Sequence, residues 1–281
     1  MEVKMQNQIY DHRVKVGNQG DLIKHFALSV IADEIEKKRD RSPFVYVETH
    51  SGRSSYQLDV DNLSEGWKSG VGGFLEQTKD FQYSDDAEIL SDGVVLFRSI
   101  LKKSIEPNAI KYQGSSALVR STLNEHGINN HAVLFDTNPD VCEQLENDEQ
   151  VIVKCEDGYE GVKQLGDIDL VFIDPPDLKP APDGHFQKYK DLIFYCINNE
   201  ISFVSWNPLY GNAAGDGPSK ECHIICEVPR VQNVAMTTVR WSDWSSKMCG
   251  CQMIFGCFAG SHYAEITKSL GQFMGWKAES R

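Results

Sequence analysis

The feature that most restricts how this chain folds is a succession of short apolar runs, each closing on an acid or a turn residue, separated by stretches with helical spacing. The runs are FVYVETHSG (44–52), AVLFDTNPD (132–140), VIVKCEDG (151–158), LVFIDPP (170–176), ISFVSWNP (201–208), HIICEVP (223–229) and CQMIFGCF (251–258). Such runs, apolar rather than strictly alternating, belong to strands covered by helices on both faces, as in parallel sheets. The expected fold is α/β: a mostly parallel, seven-stranded, Rossmann-like sheet with helices on both sides.

The helical partners are visible too. Between Asp21 and Lys38, the residues Leu22, Ile23, Phe26, Val30, Ile31 and Ile35 share one face at helical spacing, and Asp21 is placed to cap or charge the N-terminus. A second helix is expected after Asn138-Pro139, since proline suits a first helical turn. The segment from Asp59 to Asn108 breaks the rhythm. It holds helix-like patterns such as EILSDGVVLFRSILKK and no convincing strand, so residues 59–108 are expected to form a helical insertion within a single domain spanning 1–281. The insertion separates the acid ending the first strand, Glu48, from the acid ending the second, Asp136, by 88 residues. In an uninterrupted nucleotide-binding unit that distance is roughly 20–30 residues.

Composition bounds the partners. With 281 residues, 41% of them apolar, the chain can bury a large core. No run of about 18 apolar residues occurs, and MEVKMQNQIYDHRVK lacks the apolar centre of a signal peptide, so a cytoplasmic location and no membrane span are expected. The net charge of −13 argues against a surface that grips nucleic acid all over. Residues 1–41 carry eight Lys/Arg against seven Asp/Glu, whereas residues 42–281 carry 20 against 34. Contact with a polyanion should therefore be local, and Arg13, Lys15 and Lys24 are the first place to look. The eight cysteines sit mostly in apolar runs and read as small core hydrophobes, with no spacing that suits zinc.

In open sheets of this type ligands sit at the carboxyl ends of the strands. Glu48-Thr49-His50-Ser51-Gly52 supplies an acid and a small-residue turn whose amides can approach a ligand closely, but it lacks the G-x-G-x-x-G of a dinucleotide site. Asp136 is placed as acids that accept a ribose diol are, and Asp157-Gly158 could bond an exocyclic amine of an adenine. Their succession at strands one, two and three suggests an adenosine derivative and suits S-adenosylmethionine. The fourth run ends in Asp174-Pro175-Pro176-Asp177. Proline fixes the backbone and removes donors, so Asp174 is expected to stand extended beside outward-facing carbonyls. A carboxylate and a carbonyl together accept from an exocyclic amine and localise its lone pair for attack on a methyl sulfonium.

Tyr10, His12, Gly17, Asn18, Asp21, Lys24 and His25 fit the pattern Y-x-H-x4-G-N-x2-D-x2-K-H; Glu48-Thr49-His50-Ser51-Gly52 is followed by Tyr56-Gln57-Leu58; Gly114-Ser115 and Asp174-Pro175-Pro176 come later in register. Over roughly residues 10–260 this set resembles the bacterial 23S ribosomal RNA adenine-N6 methyltransferase J family. The resemblance implies a class I methyltransferase domain with a helical insertion, S-adenosyl-L-methionine as cofactor, and 23S ribosomal RNA as substrate; a monomer is the default expectation, since no sequence feature fixes the oligomeric state. It implies cofactor contacts from Lys24, His25, His50, Ser115, Asp136, Asp157, Gly158 and Asp174. It also implies that Asp174, with Pro175 behind it, orients and helps deprotonate the target amine while Tyr10 covers the base. Where that family has an aromatic residue this chain has Asp177, so stacking on the base is expected from Tyr10, Phe186 or Tyr189. Asp136 stands where the family has the longer Glu, and CQMIFGCFAGSHY stands where it shows a second Asn-Pro-Pro. The rival expectation is a cofactor-binding, nucleic-acid-associated protein with altered chemistry, tied to use of external DNA. A methyltransferase acting on DNA or a protein amide shares the Asp-Pro-Pro geometry and ranks below both.

Overall fold

In the computed structural model, residues 15–35, 43–83, 88–103, 105–106, 109–145, 149–176, 185–211, 234–242, 248–256 and 260–280 are described. The elements up to the insertion's end are α1 (Gln19–Ile35), β1 (Phe44–Glu48), β2 (Ser55–Asp59), α2 (Glu65–Ser69), α3 (Val71–Gln77), α4 (Glu88–Lys103), β3 (Ile105–Glu106) and β4 (Ala109–Gln113). There follow α5 (Ser115–Glu125), β5 (Asn130–Phe135), α6 (Pro139–Leu145), β6 (Val151–Lys154), α7 (Gly158–Val162), β7 (Leu170–Ile173), α8 (His185–Asn198) and β8 (Phe203–Leu209). The chain closes with β9 (Val234–Arg240), β10 (Gly250–Gly256), α9 (Gly260–Phe273) and β11 (Lys277–Ser280).

The main sheet has eight strands in the order β11-β9-β10-β8-β7-β1-β5-β6. Strands β8, β7, β1, β5 and β6 are mutually parallel, while β10, β9 and β11 add on antiparallel beyond β8. The seven-stranded, mostly parallel expectation is thus corrected to five parallel strands with a three-stranded antiparallel flank. Six of the seven apolar runs contain strands; HIICEVP (223–229) lies outside the described residues. β9 went unpredicted because it alternates buried and half-buried residues, and β11 because its KAES sequence is a polar edge. Every residue of β7 and β8 is buried, as helices on both faces require.

Alternation along β1 sends Phe44 and Tyr46 to one face, under α1, and Val47 to the other, under α7 and α8. The two faces accordingly build two apolar clusters, one with Leu22, Phe26, Phe97 and Phe172, the other with Phe135, Ile173, Tyr189 and Phe203. Each large side chain fully buried there is worth roughly 1.5–3 kcal/mol. α1 departs from the one-faced expectation: from Gly20 to Ala32 it is buried on every side, because α3, α4, α5 and α9 pack around it as well as the sheet. Its N-terminus is capped by Asn18, whose Oδ1 accepts from the Asp21 amide at 3.0 Å, while Asp21 reaches back to the Gly17 amide at 2.7 Å. Gly17 turns there with φ +74°, and a Cβ at that position would run into the Trp67 ring.

The insertion does carry helices α2, α3 and α4, but it also carries strand. β2 and β4 flank it and, with the two-residue β3 inside it, form a small antiparallel sheet that ties its two ends together; Asp59 and β3 are the described strand residues within 59–108. An open groove of about 660 Å³ lies on this insertion, lined by Leu63, Trp67, Leu75 and Ile110, and not at the strand ends. Cys142, Cys196, Cys249 and Cys251 are buried thiols, as their apolar runs suggested. Among the described residues no helix is long and apolar enough to cross a membrane.

Candidate active site

Strand order reverses between β1 and β7: β5 and β6 extend the sheet to one side of β1, β7 and β8 to the other. A crevice opens at such a switch point, above the carboxyl ends of the two strands. Glu48 closes β1 and Asp174 follows β7, so both acids stand at the switch-point ends of the two strands. The turn after β1 is sewn to both neighbours, with the Thr49 amide donating to the Phe172 carbonyl at 3.1 Å and the Ser51 amide to that of Phe135 at 2.9 Å.

Asp174 is only 13% exposed at its side chain, and its Oδ2 accepts from Lys24 Nζ at 2.7 Å. Lys24 Nζ also lies 3.0 Å from Asp21 Oδ1 and 5.3 Å from the centre of the Trp206 ring. Burial works against the Lys24 charge, but Asp174 and Asp21 outweigh it and hold the ammonium well above its ordinary pKa. The ion pair occupies Asp174 Oδ2 and leaves Oδ1 for an incoming donor. One expectation changes here. Lys24, 8% exposed, is not part of a polyanion-facing surface; Lys15 is exposed and Arg13 lies outside the described residues. Pro175 is buried behind Asp174, whereas Tyr10 and Asp177 lie outside the described residues.

Glu48 is fully buried and faces α1. Tyr46, two residues back on the same face, donates its hydroxyl to Oε1 at 2.6 Å, and Ser115 Oγ donates to Oε2 at 3.1 Å. Burial pushes the Glu48 pKa up to about 8, against the opposing pull of those two hydrogen bonds. Ser115 therefore reaches the site at the first turn of α5, but its hydroxyl is committed to Glu48. His25 is turned to the small sheet: its Nδ1 shares a 2.7 Å hydrogen bond with the Tyr112 hydroxyl, and the two rings stack at 5.4 Å.

At the outer strand ends, Asp136 accepts from the Gly52 amide through Oδ2 at 3.1 Å and from the Asn138 amide through Oδ1 at 2.8 Å. A carboxylate has about four acceptor sites, so a diol can still be received. Asp157 caps α7 through the Tyr159 amide at 2.9 Å, and its Oδ2 takes Lys188 Nζ at 2.6 Å. Burial raises its pKa, but Lys188 and the amide outweigh that and hold Asp157 below the ordinary carboxylate value. Gly158 is needed for packing, because a Cβ there would collide with the Thr49 backbone. His50 bonds Thr49 Oγ1 at 2.8 Å and meets the Tyr159 ring edge-on at 4.9 Å, and Tyr159 in turn meets His185 at 6.2 Å. Burial pushes the His50 pKa down to about 4, so the ring is neutral near pH 7.

Tyr189 is fully buried and its hydroxyl is bonded to Ser205 Oγ at 2.9 Å and Asn207 Nδ2 at 2.8 Å, so it is corrected from a stacking surface to a core anchor of α8. Phe186 remains half-buried, with Lys190 Nζ 5.7 Å from its ring centre. Three buried polar atoms around these strand ends have no hydrogen-bond partner: Ser51 Oγ, Tyr159 Oη and Asn207 Oδ1. An unsatisfied buried polar group costs about 1–3 kcal/mol, and of the three Ser51 Oγ stands in the turn after β1, where it keeps bonding capacity for a polar ligand. Sequence reasoning left Glu48 out of the candidate contacts; the Tyr46-x-Glu48 spacing on one strand face was the available signal. Nothing local signals Lys188, which meets Asp157 from 31 residues away.

No family model matches the chain. Among curated proteins it is similar to "Ribosomal RNA large subunit methyltransferase J" of Haemophilus influenzae, 29% identical over 181 residues, covering 59% of this chain and 58% of that protein. It is 27% identical over 192 residues to the protein of the same name from Escherichia coli K12, covering 64% and 65% of the two chains. The matches thus span less than two thirds of the length of these relatives, and both relatives bear the name of the family that the sequence motifs resemble. Among solved structures, protein LPL1258 from Legionella pneumophila shares the fold, with a TM-score of 0.72, 18% identity, and 95% and 97% of the two chains covered.

Proposed function

We propose that this chain transfers a methyl group from S-adenosylmethionine to N6 of an adenine in 23S ribosomal RNA, working in the cytoplasm. The observation that carries the reading is the placement of Asp174-Pro175 at the β1/β7 switch point, in line with acids at the ends of β1, β5 and β6. The two curated relatives named for large-subunit ribosomal RNA methylation support the substrate class. The residues at hand fit the cofactor. Asp136 would take the ribose hydroxyls, Asp157 the adenine amine, and Ser51 Oγ supplies an unpaired polar atom among them. Bound there, S-adenosylmethionine supplies an electrophilic methyl on a sulfonium.

The protein's part is orientation. Lys24 fixes Asp174 through Oδ2, and Oδ1 accepts from the target amine while a carbonyl of the Asp-Pro-Pro turn accepts its second hydrogen. Both bonds favour a localised lone pair on nitrogen, and positioned electrostatics of this kind contributes most of many enzymes' acceleration. The adenine must leave its stack to reach so buried a carboxylate. Phe186 is the described aromatic side chain left to support it, at about 1–3 kcal/mol per stacked base. The same ion pair, with Asp177 in place of an aromatic, is what favours the rival reading of a cofactor-binding protein with altered chemistry.

The test is transfer of labelled methyl to protein-free 23S RNA followed by mapping of the modified nucleotide. Incorporation at N6 of one adenine is expected. Tight cofactor binding with no incorporation into that RNA would favour the rival.

A further inference from the structure

The charge inventory at the crevice floor is unbalanced. Two acids end at the switch point, Glu48 and Asp174, and the ammonium between α1 and the sheet, Lys24, bonds Asp174 and Asp21. Glu48 is left with neutral hydroxyls alone: Tyr46 from its own strand and Ser115 from α5. The other charged groups that act on it are Asp174 from β7, which disfavours its ionisation, and Lys24 from α1, which favours it. A fully buried carboxyl without a bonded cation keeps its proton until a positive charge arrives. The burial that pushes its pKa to about 8 is consistent with that geometry.

We propose that Glu48 is the proton-linked counter-charge of the cofactor site: the empty site holds it as the neutral acid, and a cationic ligand group settling in the crevice replaces its proton, which leaves to solvent. The inference rests on the reading that the site takes S-adenosylmethionine, whose ammonium and sulfonium are the two candidate cations. Direct contact is unnecessary, because Coulomb attraction acts over several ångströms in a water-poor site. Binding then consumes no base of the protein. It converts one buried Glu–COOH and one free cation into a buried ion pair plus one solvent proton.

The experiment is calorimetric titration of the full chain in buffers of different ionisation heat, from pH 6.5 to 9.5. The ligands are S-adenosylmethionine, S-adenosylhomocysteine and 5′-methylthioadenosine, the last carrying neither cation. For the first ligand, release of more than about half a proton per site near pH 7.5 is expected, fading above pH 9, with affinity rising by up to about tenfold per pH unit below pH 8. Release with S-adenosylhomocysteine as well assigns the ammonium; release with S-adenosylmethionine alone assigns the sulfonium. Methylthioadenosine should bind without release, and Glu48→Gln should abolish release for every ligand. Tight binding of S-adenosylmethionine with no proton released, or release that survives Glu48→Gln, overturns the proposal while leaving the function reading intact. Failure of all three ligands to bind at any pH overturns both. The wild-type titration decides the matter even if the variant does not fold.

Discussion

The inner and outer strand ends of the parallel sheet solve the same problem in different ways. At the outer ends, after β5 and β6, Asp136 and Asp157 are partly exposed and held mainly by backbone amides, with Lys188 added from α8. At the inner ends, after β1 and β7, Glu48 is fully buried and Asp174, 13% exposed at its side chain, is largely so, and both are held by side chains from α1, α5 and β1. Amide-held acids keep spare acceptor capacity, which suits recognition. Side-chain-held acids in a water-poor pocket have their charge set by neighbours, which suits a site where charge moves. Under the proposed function, the outer ends recognise the ribose and adenine, while at the inner ends Asp174 faces the target amine and Glu48 the cofactor's positive charge.

The sharpest way to break this contrast is Asp174→Ala. Turnover should fall by at least about a thousandfold, with cofactor affinity within a few-fold of wild type, because the carboxylate acts on the amine. Equal loss of affinity, measured by calorimetry beside single-turnover kinetics, would move Asp174 to the recognition side. Lys24→Met comes next. It strands Asp21 and Asp174 in a buried setting, so unfolding in denaturant should show a loss of about 3–5 kcal/mol. A near-neutral result would mean the pair is solvated in solution and the inner site less dry than described.

Glu48 gives a pH-dependent version of the same contrast. Its pKa rises on folding from an ordinary 4.5 to about 8. The stability it contributes is therefore fully present below about pH 4.5 and is lost as pH rises through about 8. Relative to wild type, Glu48→Gln should gain on the order of a few kcal/mol in unfolding free energy between pH 5 and 9. A difference that stays flat over that range contradicts the buried neutral acid. The smallest effect belongs to the outer ends. Asp136→Ala should weaken cofactor binding by about tenfold and cost about 1–2 kcal/mol of stability through the two freed amides, with the rate of the bound complex little changed.

How much of this was legible in the sequence follows from which contacts are local. The strands of the parallel half announced themselves, because burial on both faces makes LVFI wholly and FVSW mostly apolar and because β7 ends just before Asp174-Pro175, whereas β8 runs on through Asn207-Pro208 to Leu209. β2 and β4 were hidden, since SYQLD buries only Tyr56 and AIKYQ only Ile110 and Tyr112, so both read as polar segments. α1 looked one-faced because its buried polar residues, Asp21, Lys24, His25 and Ser29, count as a polar side in any periodicity argument. The acids at four strand ends were found from position alone. Their partners were not: Lys24 meets Asp174 across 150 residues, and His25 finds Tyr112 across 87, so pattern could not tell a ligand contact from a satisfied core group.

The most direct test of the division between inner and outer strand ends is a crystal structure with S-adenosylhomocysteine bound. The account predicts the ribose hydroxyls on Asp136, the adenine amine toward Asp157, and the sulfur turned to the β1/β7 switch point with Asp174 Oδ1 in front of it. A ligand bound elsewhere, or one whose sulfur faces away from Asp174, would contradict it.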